Sequence, residues 1–309
     1  MTMKYNKQNP LRVVTLCSGY DSQCLALNRL REAYPDFDYR LVAWSEWDPE
    51  SRAPTDRQPA VIAHKALFPD TAGLNLGDMT KIDWTKVEDF DLLFYSTPCQ
   101  SISQAGLQHG FTEGSGTRSS IIWNVRDAVK VKRPKFLCLE NVKAMVTEKF
   151  VGMFNLWQLE LERLGYVNFA QVLNAKDYGV PQNRERIFLV SIRIDDDLPR
   201  YFFPKPFPLE RRLKDVLEEN VDERYYLSDE MLERFQSSDV EAESETEIIQ
   251  AGTIVYPDHS GEHQQDFVQH ANGISRVIPA GTHASTPHLL KTLVEDEQDD
   301  IRTRTQPEQ

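Results

Sequence analysis

"LLFYSTPCQSIS", Leu92 to Ser103, decides how this chain is read. An apolar run of strand character stops at Ser96, and a cysteine held by the proline before it follows at once. A short apolar run bounded by turn residues suits a strand buried on both faces. A cysteine is by base rate a small buried hydrophobe rather than a nucleophile. Cys99 differs because it stands where a strand leaves its sheet. Its thiol can project from the edge, where a helix N-terminus or a cation can stabilise the thiolate. Cys17, Cys24 and Cys138 lie within apolar patterns and read as structural.

Outward from this stretch, strand-like and helix-like segments alternate through about the first 195 residues. "RVVTLC" (12–17) precedes "DSQCLALNRLREAY", "YRLVAWSE" (39–46) precedes "AVIAHKALF", and "DLLFYS" (91–96) precedes "RSSIIWNVRDAVK" after a glycine-rich loop. "FLCLE" (136–140) then precedes "FVGMFNLWQLELERLG", and "ERIFLVSI" closes the series. Repeated strand-then-helix order predicts an α/β fold, a doubly wound, mostly parallel sheet with helices on both faces. Ligands of such sheets bind outside the carboxyl ends of the strands. The segments expected there are "CSGYDS", "SEWD", "GDM" (77–79), "STPCQ" and "ENV" (140–142), which bring the Gly19 turn, the carboxylates of Glu46, Asp78 and Glu140, the Cys99 thiol and the Asn141 amide to one edge.

Each residue suggests a role by its chemistry. Gly19 lets a ligand approach the backbone of the first turn. Glu46, ending the second strand, is placed to accept hydrogen bonds from ribose hydroxyls, Trp47 to stack on an adenine, and Asp78 to receive its exocyclic amine. Glu140 ends the run "FLCL"; a carboxylate at the tip of a buried strand is short of water and suited to hold or share a proton. Asn141 beside it can orient that carboxylate or cap a helix. Gln182, Arg184 and Arg186 alternate in "PQNRERIF" and would share one face of an extended strand, one guanidinium on a base edge and the other on a phosphate or carboxylate.

The formal net charge of −13 is unevenly spread. Residues 215–249 carry net −11 and residues 294–309 net −4, leaving a body near about +2 with basic stretches such as "VKVKRPK" (129–135). Acidic segments can therefore mask a body able to meet a polyanion. The four cysteines show no disulfide framework and no clustered His/Cys set offers a metal site. No apolar run approaches the roughly 20 residues needed to span a bilayer, which points to a soluble, cytoplasmic protein without membrane association. From about residue 199 the texture becomes proline-rich and aromatic, "SSDVEAESETE" reads as a solvated loop, and 250–290 shows short β-like pieces. The expected division is 1–195, 196–293 with an acidic loop near 237–249, and a disordered tail at 294–309.

In their order, "LCSGYDSQCLAL", "SEWD", "GDM", "STPCQSIS", "ENV" and "PQNRERIF" resemble the motifs of cytosine-C5 DNA methyltransferases over about residues 11–193, with weaker likeness through "GISRVIPAGTHASTPHLLKT" (273–292). The resemblance implies a Rossmann-like catalytic domain followed by a partial target-recognition region. It implies S-adenosylmethionine as methyl donor, S-adenosylhomocysteine as product and no metal. Double-stranded DNA is the implied partner, its target cytosine flipped out because a duplex hides C6. Cys99 would attack C6, Glu140 would contact N3, and Arg186 would hold O2 with Arg184 beside it. Cys17, Ser18, Gly19, Glu46, Trp47, Asp78, Met79 and Pro98 would line the cofactor site, and Gln100, Ser103, Asn141 and Gln182 would contact the base or its DNA. The chemistry agrees with the residues: C5 of cytosine is a poor nucleophile until a thiolate adds at C6 and makes it enamine-like.

The chain departs from the pattern at "YDS" after Gly19, where further glycines are usual, at Cys17, where an aromatic is usual, and in the polar insertion "PESRAPTDRQP" (49–59). The family's closing arginine motif and Gly-Asn-Ser helix have no counterpart before Gln309. The resemblance therefore implies an enzyme, acting alone or with a companion polypeptide, and functionally paired with a restriction endonuclease where one exists. A non-catalytic binding remnant and an RNA cytosine-C5 methyltransferase are the alternatives.

Overall fold

The computed structural model describes residues 4–99, 102, 110–195, 197–218, 222, 228–237, 247–255, 267–277 and 288–290. The chain forms two compact units, Met1–Val172 with Arg186–Phe203, and Leu173–Glu185 with Pro204–Gln309. The acidic residues 238–246 and the tail 294–309 lie outside the described residues.

The first unit is built on a six-stranded sheet. Its strands are β1 (Leu11–Leu16), β2 (Tyr39–Ser45), β3 (Leu92–Tyr95), β4 (Phe136–Val142), β5 (Tyr166–Asn174) and β6 (Glu185–Arg193), in the order β2-β1-β3-β4-β6-β5. β1 runs parallel to β2 and β3, and β3 parallel to β4, while β6 is antiparallel to β4. The mostly parallel α/β sheet expected from the sequence is thus present. Helices α1 (Ser22–Ala33), α2 (Pro59–Leu67), α3 (Val125–Lys132) and α4 (Val151–Arg163) cover it.

Side-chain alternation along β1 shows how both faces are filled. Leu11 and Val13 join Cys24, Leu27, Trp44 and Val61 on the face of α1 and α2. Val14 and Leu16 join Leu93, Leu137, Leu139, Val129 and Trp157 on the face of α3 and α4. Strands covered on both sides must be apolar almost throughout, which is why "LRVVTL" and "LLFY" lack a polar stripe. At the sheet's opposite edge Arg12 clamps Asp91 through Nε (3.0 Å) and a second nitrogen (2.9 Å), tying the start of β1 to the start of β3.

β1 lies between β2 and β3, so the strand order reverses there, and the carboxyl ends of β1 and β3 stand at the switch point where such sheets bind ligands. The Ser96 amide donates to the Leu16 carbonyl (3.2 Å), joining the two strand exits directly. One expected element is absent. "GDM" follows no strand: Pro69–Leu74 is a turn of 3₁₀ helix, and residues 75–77 are instead laid along the end of β2. The Leu76 amide donates to Trp44 O (2.7 Å), Ser45 Oγ to Gly77 O (2.6 Å), and Asn75 exchanges side-chain hydrogen bonds with the Glu46 backbone.

The second unit has a four-stranded sheet of β7 (Phe235–Ser237), β8 (Gln250–Ile254), β9 (Phe267–His270) and β10 (His288–Leu290), in the order β10-β9-β8-β7. Ala251, Ile254 and Val268 form its buried cluster, with Met231 and Phe235 against it. Gly252 is required there, because a Cβ would run into the Gln236 carbonyl and the Phe235 ring.

Candidate active site

Four residues after β3 carry the expected nucleophile. Thr97 is buried and Cys99 half-buried against the α3/α4 core. The Pro98 carbonyl accepts from Ser119 Oγ (2.6 Å) and the Cys99 carbonyl from the Ile102 amide (2.9 Å). Gln100 and Ser103 lie outside the described residues. None of the four cysteines forms a disulfide. Burial pushes the Cys138 thiol up to about 12, with Glu140 adding to it, and burial likewise raises Cys17 and Cys24. None of these three is a competent thiolate near neutral pH.

The end of β4 runs beside this segment. Ser96 Oγ donates to Glu140 Oε2 (2.7 Å), and Asn141 Nδ2, fully buried, donates to the Thr97 carbonyl (3.0 Å). Glu140 Oε1 meets Arg186 Nε at 3.0 Å. The antiparallel register explains this pair: Glu140 lies opposite Phe188, so Arg186 is its diagonal neighbour two residues along. Sequence spacing could not reveal that contact, because β4 and β6 are far apart in the chain. Asn141 neither caps a helix nor orients Glu140; it anchors the cysteine segment.

The expected grouping of Gln182, Arg184 and Arg186 on one strand face is not what forms. β6 begins at Glu185, so only Arg186 belongs to it with the first unit. Gln182 and Arg184 belong to the second unit, where Gln182 bridges Ser275 and donates to the Arg276 carbonyl (3.2 Å). The Arg184 amide donates to Asn174 Oδ1 (3.0 Å). The physical reason is the irregular backbone at 180–184, where the Gln182 amide donates to the Val180 carbonyl (2.6 Å) and the Arg184 amide to the Gln182 carbonyl (3.0 Å), interrupting the alternation.

The turn after β1 meets the end of β2. Gly19 adopts φ +58°, with open space where a Cβ would stand, and its amide donates to Glu46 Oε2 (2.6 Å). Burial raises the Glu46 carboxyl above its usual range, against the lowering effect of the Gly19 and Trp47 amides. Trp47 is partly exposed, with Lys81 Nζ 5.3 Å from its ring centroid. Asp78 turns back on Thr80 and Lys81; burial alone would raise it, but these donors hold it below the ordinary carboxylate range. Met79 is buried, its sulfur 3.4 Å from that of Cys17.

Where further glycines were expected, Asp21 itself adopts the left-handed backbone (φ 63°). Its buried carboxyl accepts from Thr15 Oγ1 (2.7 Å) and lies 3.6 Å from buried His64, which stacks on Trp44. The insertion at 49–59 is likewise explained: buried Gln58 accepts from the Asp48 amide and donates to the Asp48 and Ala53 carbonyls, folding it closed before α2. Ser96, Asn75, Gln58, Arg118 and Ser119 went unread in the sequence, because an isolated polar residue carries no periodic signal.

This turn suits an adenosyl cofactor. Ser18 Oγ and Thr97 Oγ1 are buried without a hydrogen-bond partner among the described residues, Gly19 leaves room, Glu46 offers carboxylate oxygens and Trp47 a ring face. Buried polar atoms of this kind ask for a ligand's complementary groups. Among the described residues no cluster of three His, Cys, Asp or Glu is arranged to hold a metal ion. Also among them, no helix is long and apolar enough to cross a membrane.

Comparison with known proteins agrees with this geometry. Residues 11–308 match the model of the C-5 cytosine-specific DNA methylase family. The chain is 46% identical over 153 residues to the type II methyltransferase M2.ScrFI of Lactococcus lactis subsp. cremoris, covering 50% of this chain and 42% of that protein. It is 30% identical over 272 residues to the orphan methyltransferase M.Rho11sI of Bacillus phage rho11s, covering 79% and 50%. The chain thus spans about half the length of these curated relatives. Among solved structures, the S. pombe Dnmt2 methyltransferase shares the fold at a TM-score of 0.57 and 15% identity, over 95% of this chain and 80% of that one. With strand order, paired exits and a family match along nearly the whole chain, this protein belongs to the C-5 cytosine-specific DNA methylase family.

Proposed function

We propose that the protein is a DNA (cytosine-5-)-methyltransferase, with S-adenosylmethionine as methyl donor. The observation that supports this most is the join between two strand exits: Glu140 accepts from Ser96, three residues before Cys99, and is paired with Arg186. A base entering beside Cys99 would find a carboxyl and a guanidinium already aligned with one another.

In this reading the Cys99 thiolate adds to C6 of a flipped cytosine while Glu140 donates a hydrogen bond or proton at N3 and Arg186 holds O2. The added electron pair makes C5 nucleophilic. S-adenosylmethionine supplies an electrophilic sulfonium methyl group and leaves as S-adenosylhomocysteine. Water then takes the C5 proton, the freed electron pair restores the C5–C6 double bond as the C6–sulfur bond breaks and the thiolate departs, and the N3 proton returns to Glu140. Ser18, Gly19, Glu46, Trp47, Asp78 and Met79 would hold the cofactor beside Pro98 and Cys99, Cys17 packing behind them. Asn141 would hold the cysteine segment, and Gln182 and Arg184 would serve the DNA side.

Release of tritium from C5-labelled cytosine tests the activity, on duplex DNA and on transfer RNA side by side, with and without neighbouring-gene products. Release from duplex DNA that Cys99→Ala abolishes supports the proposal. Release from transfer RNA alone would move the substrate to RNA, and silence under every condition would leave a binding protein. The type II name of the Lactococcus relative motivates testing a neighbouring endonuclease for blockage by the methylated product, and the orphan phage relative shows the alternative setting.

A further inference from the structure

Two adjacent residues, Arg118 and Ser119, reach the two halves of the site from one turn. The turn Arg118–Asn124 leads into α3. Ser119 is buried (1% exposed) and its Oγ donates to the Pro98 carbonyl at 2.6 Å. That carbonyl and the Cys99 amide belong to one planar peptide unit, so fixing the oxygen fixes the plane from which the Cys99 side chain springs. The next peptide is held too, since the Cys99 carbonyl accepts from the amide of fully buried Ile102 (2.9 Å). With both carbonyls held, the direction in which the Cys99 side chain leaves the backbone is set.

Arg118 faces the other way. One of its terminal nitrogens lies 3.2 Å from Asp48 Oδ1 and the other 3.0 Å from Glu50 Oε1, directly after Glu46 and Trp47. These carboxylates are well exposed, at 49% and 72%, so the ion pairs are weak compared with the buried serine bond.

We infer that this turn is the spacer between nucleophile and cofactor, with Ser119 the positioning residue for the Cys99 thiol and Arg118 a lesser one for the Trp47–Asp48 turn. The inference rests on the methyltransferase reading and goes beyond it by naming what sets the sulfur-to-methyl separation. Neither residue touches the reacting atoms. The serine acts through a peptide plane and the arginine through a carboxylate.

The test separates orientation from folding and from function. Covalent trapping is followed on duplex DNA containing 5-fluorocytosine, and cofactor affinity by calorimetry. In parallel, Cys99 labelling is followed with an adenosyl analogue bearing an electrophilic haloacetyl arm in place of the methyl group, which needs no nucleic acid. Ser119→Ala should slow both trapping and analogue labelling at saturation by about tenfold to a hundredfold, the scale of a misplaced reacting group. Cofactor affinity and Cys99 alkylation by iodoacetamide should each stay within about threefold, as neither needs the directed approach. Arg118→Gln should weaken cofactor binding about two- to fivefold, the range of an exposed ion pair, with saturated labelling unchanged. Wild-type labelling rates in Ser119→Ala, or losses of labelling and cofactor affinity that move together with Tm, would overturn the inference. Absence of labelling in the wild type would do the same. If only DNA trapping fails in the wild type, the methyltransferase reading falls while the labelling comparison still decides the role of Ser119.

Discussion

In the first unit, parallel strands bury Leu93, Leu137 and Leu139 completely and carry a second apolar cluster on the opposite face, whereas the sheet of the second unit closes over Ala251, Ile254 and Val268. The difference follows from covering: helices on both faces let a parallel sheet bury every side chain, while a small, largely antiparallel sheet gathers one short apolar row. The residues assigned to chemistry, Cys99, Glu140 and Arg186, leave strands or adjoining turns of the first kind. A thiol and a carboxyl that must meet one ring need a scaffold that does not yield, and sites on the well-packed unit satisfy that.

Four experiments would break or sharpen this contrast. The largest effect is expected at Cys99: Cys99→Ala should lower methyl transfer by on the order of 10³-fold or more, as loss of a covalent nucleophile does, with S-adenosylmethionine affinity unchanged by calorimetry. Retained turnover would move the chemistry away from the β3 exit. Next, Leu137→Ala should destabilise the first unit by about 2–5 kcal/mol in urea unfolding, the range for a buried leucine emptied in a tight core. Ile254→Val in the second unit should cost about 0.5–1.5 kcal/mol and leave cofactor affinity unaltered. Equal effects of both on cofactor affinity would dissolve the contrast.

A third test concerns the buried histidine beside Asp21, in the turn after β1. Burial lowers His64 to about 4 from an ordinary 6.5. Between those values the unfolded chain binds a proton that the folded chain does not, so stability is complete above about pH 6.5 and falls as pH drops toward 4. The loss amounts to at most about 3 kcal/mol, and His64→Gln should flatten that part of the urea-midpoint profile. The smallest effect is expected at Asp91. Burial would raise its carboxyl, but the Arg12 side chain and amide hold it below its usual 3.8. Its contribution is therefore present above that value and disappears as pH falls through the lowered one. The stability gap between wild type and Asp91→Asn should shrink from about 1 kcal/mol at pH 6 toward nothing at pH 2, and a gap independent of pH would remove the ion pair from the account.

The elements and the site were legible to different depths. The strand runs 12–17, 39–46, 91–96 and 136–140 found their strands to within one or two residues, because continuous apolar runs between turn residues have few alternatives. The glycine turn, Glu46, Trp47, Cys99 and Glu140 lie at or just beyond strand ends, where the alternating pattern of the sequence placed them. The 77–79 segment was misplaced, since its attachment to β2 runs through Asn75 and Ser45, two polar residues with no pattern of their own. Asp21 in a glycine conformation could not be foreseen, because Thr15 and His64 come from different elements.

By itself the sequence determined the α/β class, the family and the positions where a thiol and a carboxylate leave their strands, since apolar runs and local turns are encoded within a few residues of one another. Only the tertiary structure decided that Arg186 meets Glu140, that Asn141 holds Thr97, and that Ser119 holds the peptide before Cys99. Those contacts depend on the register between distant strands, which is fixed by the packing of the whole sheet and written in no local stretch.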